Sequence, residues 1–363
     1  MTTRREIFTA FAPESLERYP HRPISHRKVS SAIHQCQSGH SGHSLSQGPS
    51  CGGQHRVQPS WGNRHCPQCQ QHTTRQWLQH HRDTQLPGPP FLLTGTGPET
   101  LRPFIRSQQR LAYQALLHAS ATALKRLATD ERFIGTDLPG CTGVLHTWGR
   151  QLQYHPHSHY IVPGGGLSED RTTWCPSRAN FFVPVKALSP IYRALFKEDM
   201  RQAGLLEQSD PQVWPIPWNV HSQAPHHGHS AFTSLAPYVF KVALSNQRIV
   251  SLKDHTVTFT YRKVGSARLR TTHLDVVEFL RRFLQHVLPD GFQKVRHFGF
   301  LHASWAIPLA TIRLMIVRGH PGDAPLPPRT PLPPHAARCP TCGAPMRVRM
   351  RLWTSPSDFV DTG

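Results

Sequence analysis

The stretch Tyr154-His-Pro-His-Ser-His-Tyr-Ile-Val-Pro-Gly-Gly-Gly166 decides how this chain is read. In a β-strand, residues two apart share a face, so His157 and His159 present two imidazoles side by side. Such a pair is half of a divalent-metal site, with positions left open for substrate oxygens. Pro156 cannot donate to a strand ladder, which places the start of the strand near His157, and Gly164-Gly-Gly166 ends it. A third ligand is needed. His146 is the candidate if its own run, Cys141–Trp148, is a strand that pairs antiparallel with the first. Gln151, Gln153 and His155, in the connection, compete for that role. A histidine-rich surface strand with no metal would show the same letters.

Composition narrows the partner. Of 363 residues, 41 are Lys or Arg and 21 Asp or Glu, a net charge of +20. That excess calls for a polyanion, with nucleic acid the first candidate. No GxxxxGK[ST] sequence occurs, so ATP use is not expected. The N-terminus lacks the apolar core of a signal peptide, so secretion is not expected. The longest apolar stretch, Phe298–Val317, contains His302, Pro308 and Arg313, so no membrane partner is expected. Eight cysteines with two CxxC pairs read as metal ligands in a reducing compartment.

Residues 1–90 are rich in His, Gln, Cys, Ser and Gly and end at the boundary Leu86-Pro-Gly-Pro-Pro90. Beyond it the spacing predicts one or two helices over Pro98–Thr129, a helix over Ser189–Gly204 and another over Leu235–Leu244. A hairpin is predicted from Arg248–Leu252 and Thr256–Lys263, and an amphipathic helix over Thr272–Leu288 with Thr272 and Asp275 as a capping box. Residues 321–334 form a proline-rich linker to a short tail.

Three further groups carry chemistry. Tyr238 and Lys241 share a helix face near a predicted N-terminus, where a tyrosine can attack a phosphate and a lysine can balance the developing charge; a core aromatic is the plainer reading. Cys66-Pro-Gln-Cys69 with Cys51 and one of His65, His55 or Cys36 completes a tetrahedral zinc set. The tail pair Cys339-Pro-Thr-Cys342 has only two thiols. Arg248, Arg262, Lys263, Arg281 and Arg282 are candidate DNA contacts, and clusters at Arg268–Arg270 and Arg347–Arg351 suit the same phosphate-tracking role.

Taken in order, these pieces resemble the rolling-circle HUH transposases of the IS-ninety-one insertion-sequence family, most closely its common-region branch. The matching blocks are Asn63-Arg-His-Cys-Pro-Gln-Cys-Gln70, His155-Pro-His-Ser-His159 with Val162-Pro-Gly-Gly-Gly166, Tyr238–Asn246, and Phe279–Phe292 with Arg296-His-Phe-Gly299. The resemblance implies a metal-dependent single-strand nuclease and strand transferase in the bacterial cytoplasm, associated with the nucleoid. His157 and His159 match the metal histidines and Tyr238 the nucleophile. Ser234 stands where the two-tyrosine branch has its other tyrosine, so this chain looks like a single-tyrosine member. Ser158 replaces a bulky apolar residue. Gly48 stands where the first thiol of a CxxC ending at Cys51 is usual, and Trp61 replaces another thiol; both predict a weakened zinc site.

The expected fold is α+β: an antiparallel HUH-nuclease-type sheet with packed helices, plus a small N-terminal zinc-binding module. The expected organisation is a zinc- and DNA-binding module at 1–90, the nuclease domain at 91–265, its helical continuation at 266–320, and the linker and CPxC tail at 321–363. The expected cofactors are Mg²⁺ or Mn²⁺, with Zn²⁺ as a second metal, and the expected partner is single-stranded DNA at element ends. A zinc-dependent DNA-binding protein without catalysis, such as a degenerate copy, is the alternative.

Overall fold

The computed structural model describes residues 3–36, 42–58, 63–66, 85–88, 90–223, 243–263, 266, 268–319 and 338–352. The linker at 321–334 and all but the last two residues of the predicted helix at 235–244 lie outside them; Ala243 and Leu244 are not helical. The fold is α+β with antiparallel sheets. The helices are α1 (Arg4–Arg18), α2 (Ile24–Gln35), α3 (Arg102–Ser107), α4 (Gln109–Ala128), α5 (Val185–Gln202), α6 (Val276–Leu284) and α7 (Leu309–Gly319). The strands are β1 (His43–Gln47), β2 (Gln54–Val57), β3 (Phe91–Thr96), β4 (Leu138–Pro139), β5 (Cys141–Trp148), β6 (Tyr154–Val162), β7 (Gly165–Leu167), β8 (Trp174–Pro176), β9 (Asn219–Gln223), β10 (Ile249–Lys253), β11 (Thr256–Arg262), β12 (Leu269–Asp275), β13 (Val295–Phe298) and β14 (Arg347–Leu352). None of the described helices is long and apolar enough to cross a membrane.

Packing divides the chain into two compact units. One comprises Met1–Arg75, Phe240–Val287 and Pro331–Gly363; the other comprises Gln76–Val239 and Leu288–Thr330. These groupings follow other lines than a linear division at residues 90, 265 and 320.

The second unit is built on a five-stranded sheet of order β13-β5-β6-β3-β9, antiparallel throughout. Helices α4 and α5 supply apolar residues at helical spacing, among them Leu116, Leu188, Tyr192 and Phe196. These form one core with Phe91, Leu93 and Tyr160 of the sheet. Strand β6 begins at Tyr154, earlier than Pro156 suggested. Pro156 sits beside a register irregularity on the β5 side, and the β3 ladder starts only at His157, so the missing N–H breaks no regular pairing.

Two small residues set how closely the helices approach. Gly143 lies opposite Tyr160, whose hydroxyl donates to Leu117 O (2.9 Å) and bonds Ser120 Oγ (2.6 Å). A Cβ on Gly143 would stand 2.6 Å from Tyr160 Cε1. Gly95 lies opposite Ser158, and a Cβ there would stand 2.9 Å from Tyr192 Cε1. Ser158 is buried on the helix side of the sheet, the face that carries Tyr160.

The first unit holds α1, α2, α6 and two three-stranded sheets, β10-β11-β12 and β14-β1-β2. A Thr3/Glu6 capping box starts α1, and Phe8 packs edge-on against Phe283 of α6 with ring centroids 5.4 Å apart. The β10–β11 hairpin turns at Asp254 and His255, both in the left-handed region (φ 46° and 60°). The His255 imidazole then bridges Glu14 (2.9 Å) and Asp275 (3.1 Å). The helix predicted from Thr272 is shorter than expected. Thr272 belongs to β12, and Asp275 itself caps α6, accepting from the Val277 and Glu278 N–H groups.

Gly143→Ala should overpack the sheet–helix interface and cost about 1–3 kcal/mol. Urea unfolding should show a lower midpoint with an unchanged slope.

Candidate metal centre

Strand alternation sends Ser158 and Tyr160 to the helices and His157 and His159 to the opposite face of the sheet. The β5–β6 register then sets His146 directly across from His157, and Val144 across from His159. The three imidazoles form one cluster. A ligand atom from each lies within 4.8 Å of the others. Ring centroids are 5.3 Å apart for His146–His157, 4.6 Å for His146–His159 and 4.8 Å for His157–His159.

Each ring is oriented by a neighbour. His157 Nδ1 donates to His155 O at 2.7 Å, so its lone pair resides on Nε2. His159 Nδ1 is 3.0 Å from Thr94 Oγ1 on β3, the residue directly opposite it. His146, buried, stacks on Trp148 with centroids 5.0 Å apart. Burial, with the charge of neighbouring His159, pushes the His157 imidazole well below its ordinary value. Burial pushes His159 down to about 4. Both are therefore neutral at neutral pH, the form that ligates a cation. Three imidazole donors on one face, two of them held neutral by burial, would leave positions open on a bound ion, the arrangement of a catalytic rather than a closed structural site.

The competing residues have other roles. His155 Nδ1 accepts from Arg102 Nη2 (2.8 Å), and Arg102 is paired with Glu99 (2.7 Å). Gln153 Oε1 accepts from the Gln151 N–H (2.9 Å). Tyr238, Lys241 and Cys69 lie outside the described residues. Cys51 is grouped with Cys339 and Cys342, whereas Cys66 lies against Cys36, sulfurs 3.4 Å apart. His65 donates its backbone N–H to Asn63 Oδ1 (2.8 Å).

Among the basic candidates, Arg262 and Lys263 are exposed. Arg248 Nε donates to Thr260 O (2.7 Å) within its own hairpin. Arg281 and Arg282 both bond Glu278, at 2.5 and 2.7 Å, which holds that carboxyl down to about 2. Thr94 was not singled out from the sequence, because its position opposite His159 depends on a long-range strand pairing.

Comparison with known proteins adds the class. A family model described as "Putative transposase" matches residues 140–306, which include the three histidines, and one described as "Transposase zinc-binding domain" matches residues 7–96. A protein of Sinorhizobium fredii (strain NBRC 101917 / NGR234) named "Putative transposase y4qJ" is 33% identical over 318 residues, 82% of this chain and 79% of its own length. The "Transposase for insertion sequence element IS801" of Pseudomonas savastanoi pv. phaseolicola is 28% identical over 263 residues, 66% of this chain and 60% of its own. No solved structure matches. A transposase model over the histidine-bearing sheet and a zinc-binding model over the cysteine-rich segment define a transposase-type enzyme. The chain belongs to the IS-ninety-one and common-region family of HUH-type insertion-sequence transposases.

Acid should expose the neutrality of this cluster. The folded chain resists protonating His157 and His159, whereas the unfolded chain takes up those protons below the ordinary value of 6.5. Metal-free protein should therefore lose stability as pH falls from about 6.5 towards 4, and this contribution should be level above it. A His157→Gln/His159→Gln chain should show a shallower loss in urea titrations at pH 5 and 7.5.

Proposed function

We propose that this transposase cleaves and rejoins single-stranded DNA through a covalent 5′-phosphotyrosine at Tyr238. The observation that carries the reading is the cluster of imidazoles from His146, His157 and His159 on the face of the sheet away from its helices. Three imidazole nitrogen donors with outer-sphere support from Thr94 and the His155 carbonyl fit a divalent ion. When bound there, Mg²⁺ or Mn²⁺ supplies Lewis-acid polarisation of a non-bridging phosphate oxygen. His157 and His159, with His146, would hold such an ion from two strands of the sheet. Tyr238 Oη forms the new bond to phosphorus, its proton is lost, and the bond to the 3′-oxygen breaks to leave a free 3′-OH. Lys241 balances charge on the attacking phenolate. The phosphodiester energy is kept in the tyrosyl ester, so a second 3′-OH can displace Tyr238 and rejoin the strand without ATP.

The net charge of +20 suits a single-stranded DNA substrate, with exposed Arg262 and Lys263 among the candidate phosphate contacts. A DNA-binding protein without catalysis would leave the three-histidine cluster and its oriented rings with no role.

Labelled single-stranded element ends incubated with the chain and Mn²⁺ should give a denaturant-stable adduct. Tyr238→Phe should abolish the adduct and leave DNA binding nearly intact; an adduct in the Phe variant would remove Tyr238 from the reaction. His157→Ala and His159→Ala should each abolish cleavage. Thr94→Val should cost about 10–100-fold in metal affinity or activity, since it frees only the outer partner of His159. Imidazole ligands favour transition ions over Mg²⁺, so half-maximal cleavage should need less Mn²⁺ than Mg²⁺.

A further inference from the structure

The C-terminal tail folds back onto the first unit. Strand β14 pairs antiparallel with β1 from His43↔Leu352 to Gln47↔Arg347, and Arg349 Nε donates to Gln47 Oε1 (2.7 Å). Every residue of β14 is exposed. A three-stranded ribbon with so little burial is marginal alone, so the ladder needs another source of stability.

Two turns meet at one end of this ribbon. The first, between β1 and β2, is closed by Gly48 N–H to Gly53 O and Gly52 N–H to Gly48 O, both 2.9 Å, and the Gly53 N–H donates to Cys51 Sγ (3.4 Å). The second, in the tail, is closed by Cys339 N–H to Ala344 O (2.9 Å) and Gly343 N–H to Cys339 O (2.8 Å). In each turn a cysteine is followed by a glycine at φ 69°: Cys51-Gly52 and Cys342-Gly343. The turns are alike in form, and they bring their sulfurs together.

Cys51, Cys339 and Cys342 lie with their sulfurs within 4.8 Å of one another. Cys51 Sγ and Cys339 Sγ are 3.6 Å apart, and His55 Nε2 of β2 is 3.3 Å from Cys339 Sγ. A Cβ on Gly53 would touch both Cys51 Sγ (3.3 Å) and His55 Nε2 (3.5 Å), so both side chains flank the same turn. Tetrahedral zinc with bonds of about 2.3 Å to sulfur and about 2.0 Å to nitrogen has ligand–ligand edges of about 3.8 Å and about 3.5 Å. Two of the spacings, Cys51–Cys339 and Cys339–His55, approach those edges, and 3.6 Å is far beyond the roughly 2.05 Å of a disulfide.

We propose that Cys51, His55, Cys339 and Cys342 form a structural zinc site that fastens the C-terminal tail to the N-terminal hairpin. It uses residues about 240 positions beyond the stretch matched by the zinc-binding family model, which ends at residue 96. It is separate from the Cys36–Cys66 pair, and it does not depend on the nuclease reading. It also accounts for Gly48. A Cβ there would stand 2.7 Å from Cys339 Sγ and 2.9 Å from Cys51 Sγ, so the glycine leaves room for the tail sulfur and His55 supplies the nitrogen donor. Binding releases the thiol protons to solvent and gives three thiolates and one neutral imidazole.

Elemental analysis of the full chain, with hydrogen exchange on residues 43–47 and 347–352, tests this. Cys339→Ser/Cys342→Ser should hold one zinc fewer per chain than the unaltered protein. A strong chelator should speed exchange across the β1–β14 ladder in the unaltered chain and not in the double variant, where the ladder is already open. Cobalt loading should give thiolate charge-transfer absorption that strengthens in His55→Cys, a variant that keeps four donors. His157→Ala should lose DNA cleavage and keep this zinc, which separates the two readings. Equal zinc content in the double variant and the unaltered chain, or a ladder whose exchange is indifferent to the chelator, would overturn the site.

Discussion

His146 can share a metal with His157 only because β5 and β6 pair in one register. A slip of a single residue would carry His146 to the helix side of the sheet, where Leu145 and Tyr160 now sit, and would leave the two β6 histidines without a partner strand ligand. Packing enforces the register. The Tyr160 ring lies over Gly143 and its hydroxyl is tied to α4, so the strands cannot slide without driving that ring against a side chain. The metal face and the core face are thus specified by the same pairing, one through imidazoles and the other through a tyrosine on glycine.

The chemistry at the centre follows from what the sheet withholds. No carboxylate takes part in either described metal cluster. Burial disfavours the charged imidazolium, and the carbonyl of His155 fixes the tautomer of His157 without adding charge. A neutral, rigid set of donors is suited to an ion that must also bind a phosphate, because open positions remain for its oxygens. The cysteine cluster in the first unit has the opposite character: three thiols gather at one point with the His55 imidazole against one of them, which suits an ion that only crosslinks.

The sequence revealed these features unevenly. The HxH pair was legible because strand alternation needs only local information, and His146 followed from assuming that neighbouring strands pair. Thr94 was not, since its position depends on β3 pairing with a strand more than 50 residues away. Pro156 misplaced the start of β6, because a proline beside a bulge costs no ladder bond. Strand β12 was hidden in Leu269–Asp275, where polar and basic residues on an exposed strand give no hydrophobic alternation. The capping box Thr3-Arg-Arg-Glu6 does mark the start of α1 in the sequence. Cysteine spacing suggested that Cys51 belonged with Cys66. The turns instead bring it to Cys339 and Cys342, a long-range pairing that no local pattern encodes.

The central claim is that His146, His157 and His159 act as one metal-binding set in this transposase. Anomalous diffraction at the manganese edge, from crystals of the full chain grown with Mn²⁺, reads that set directly. The expected result is a peak within bonding distance of an imidazole nitrogen from each of the three histidines. A bare histidine face with manganese bound elsewhere, or a peak held by His157 and His159 without His146, would contradict it.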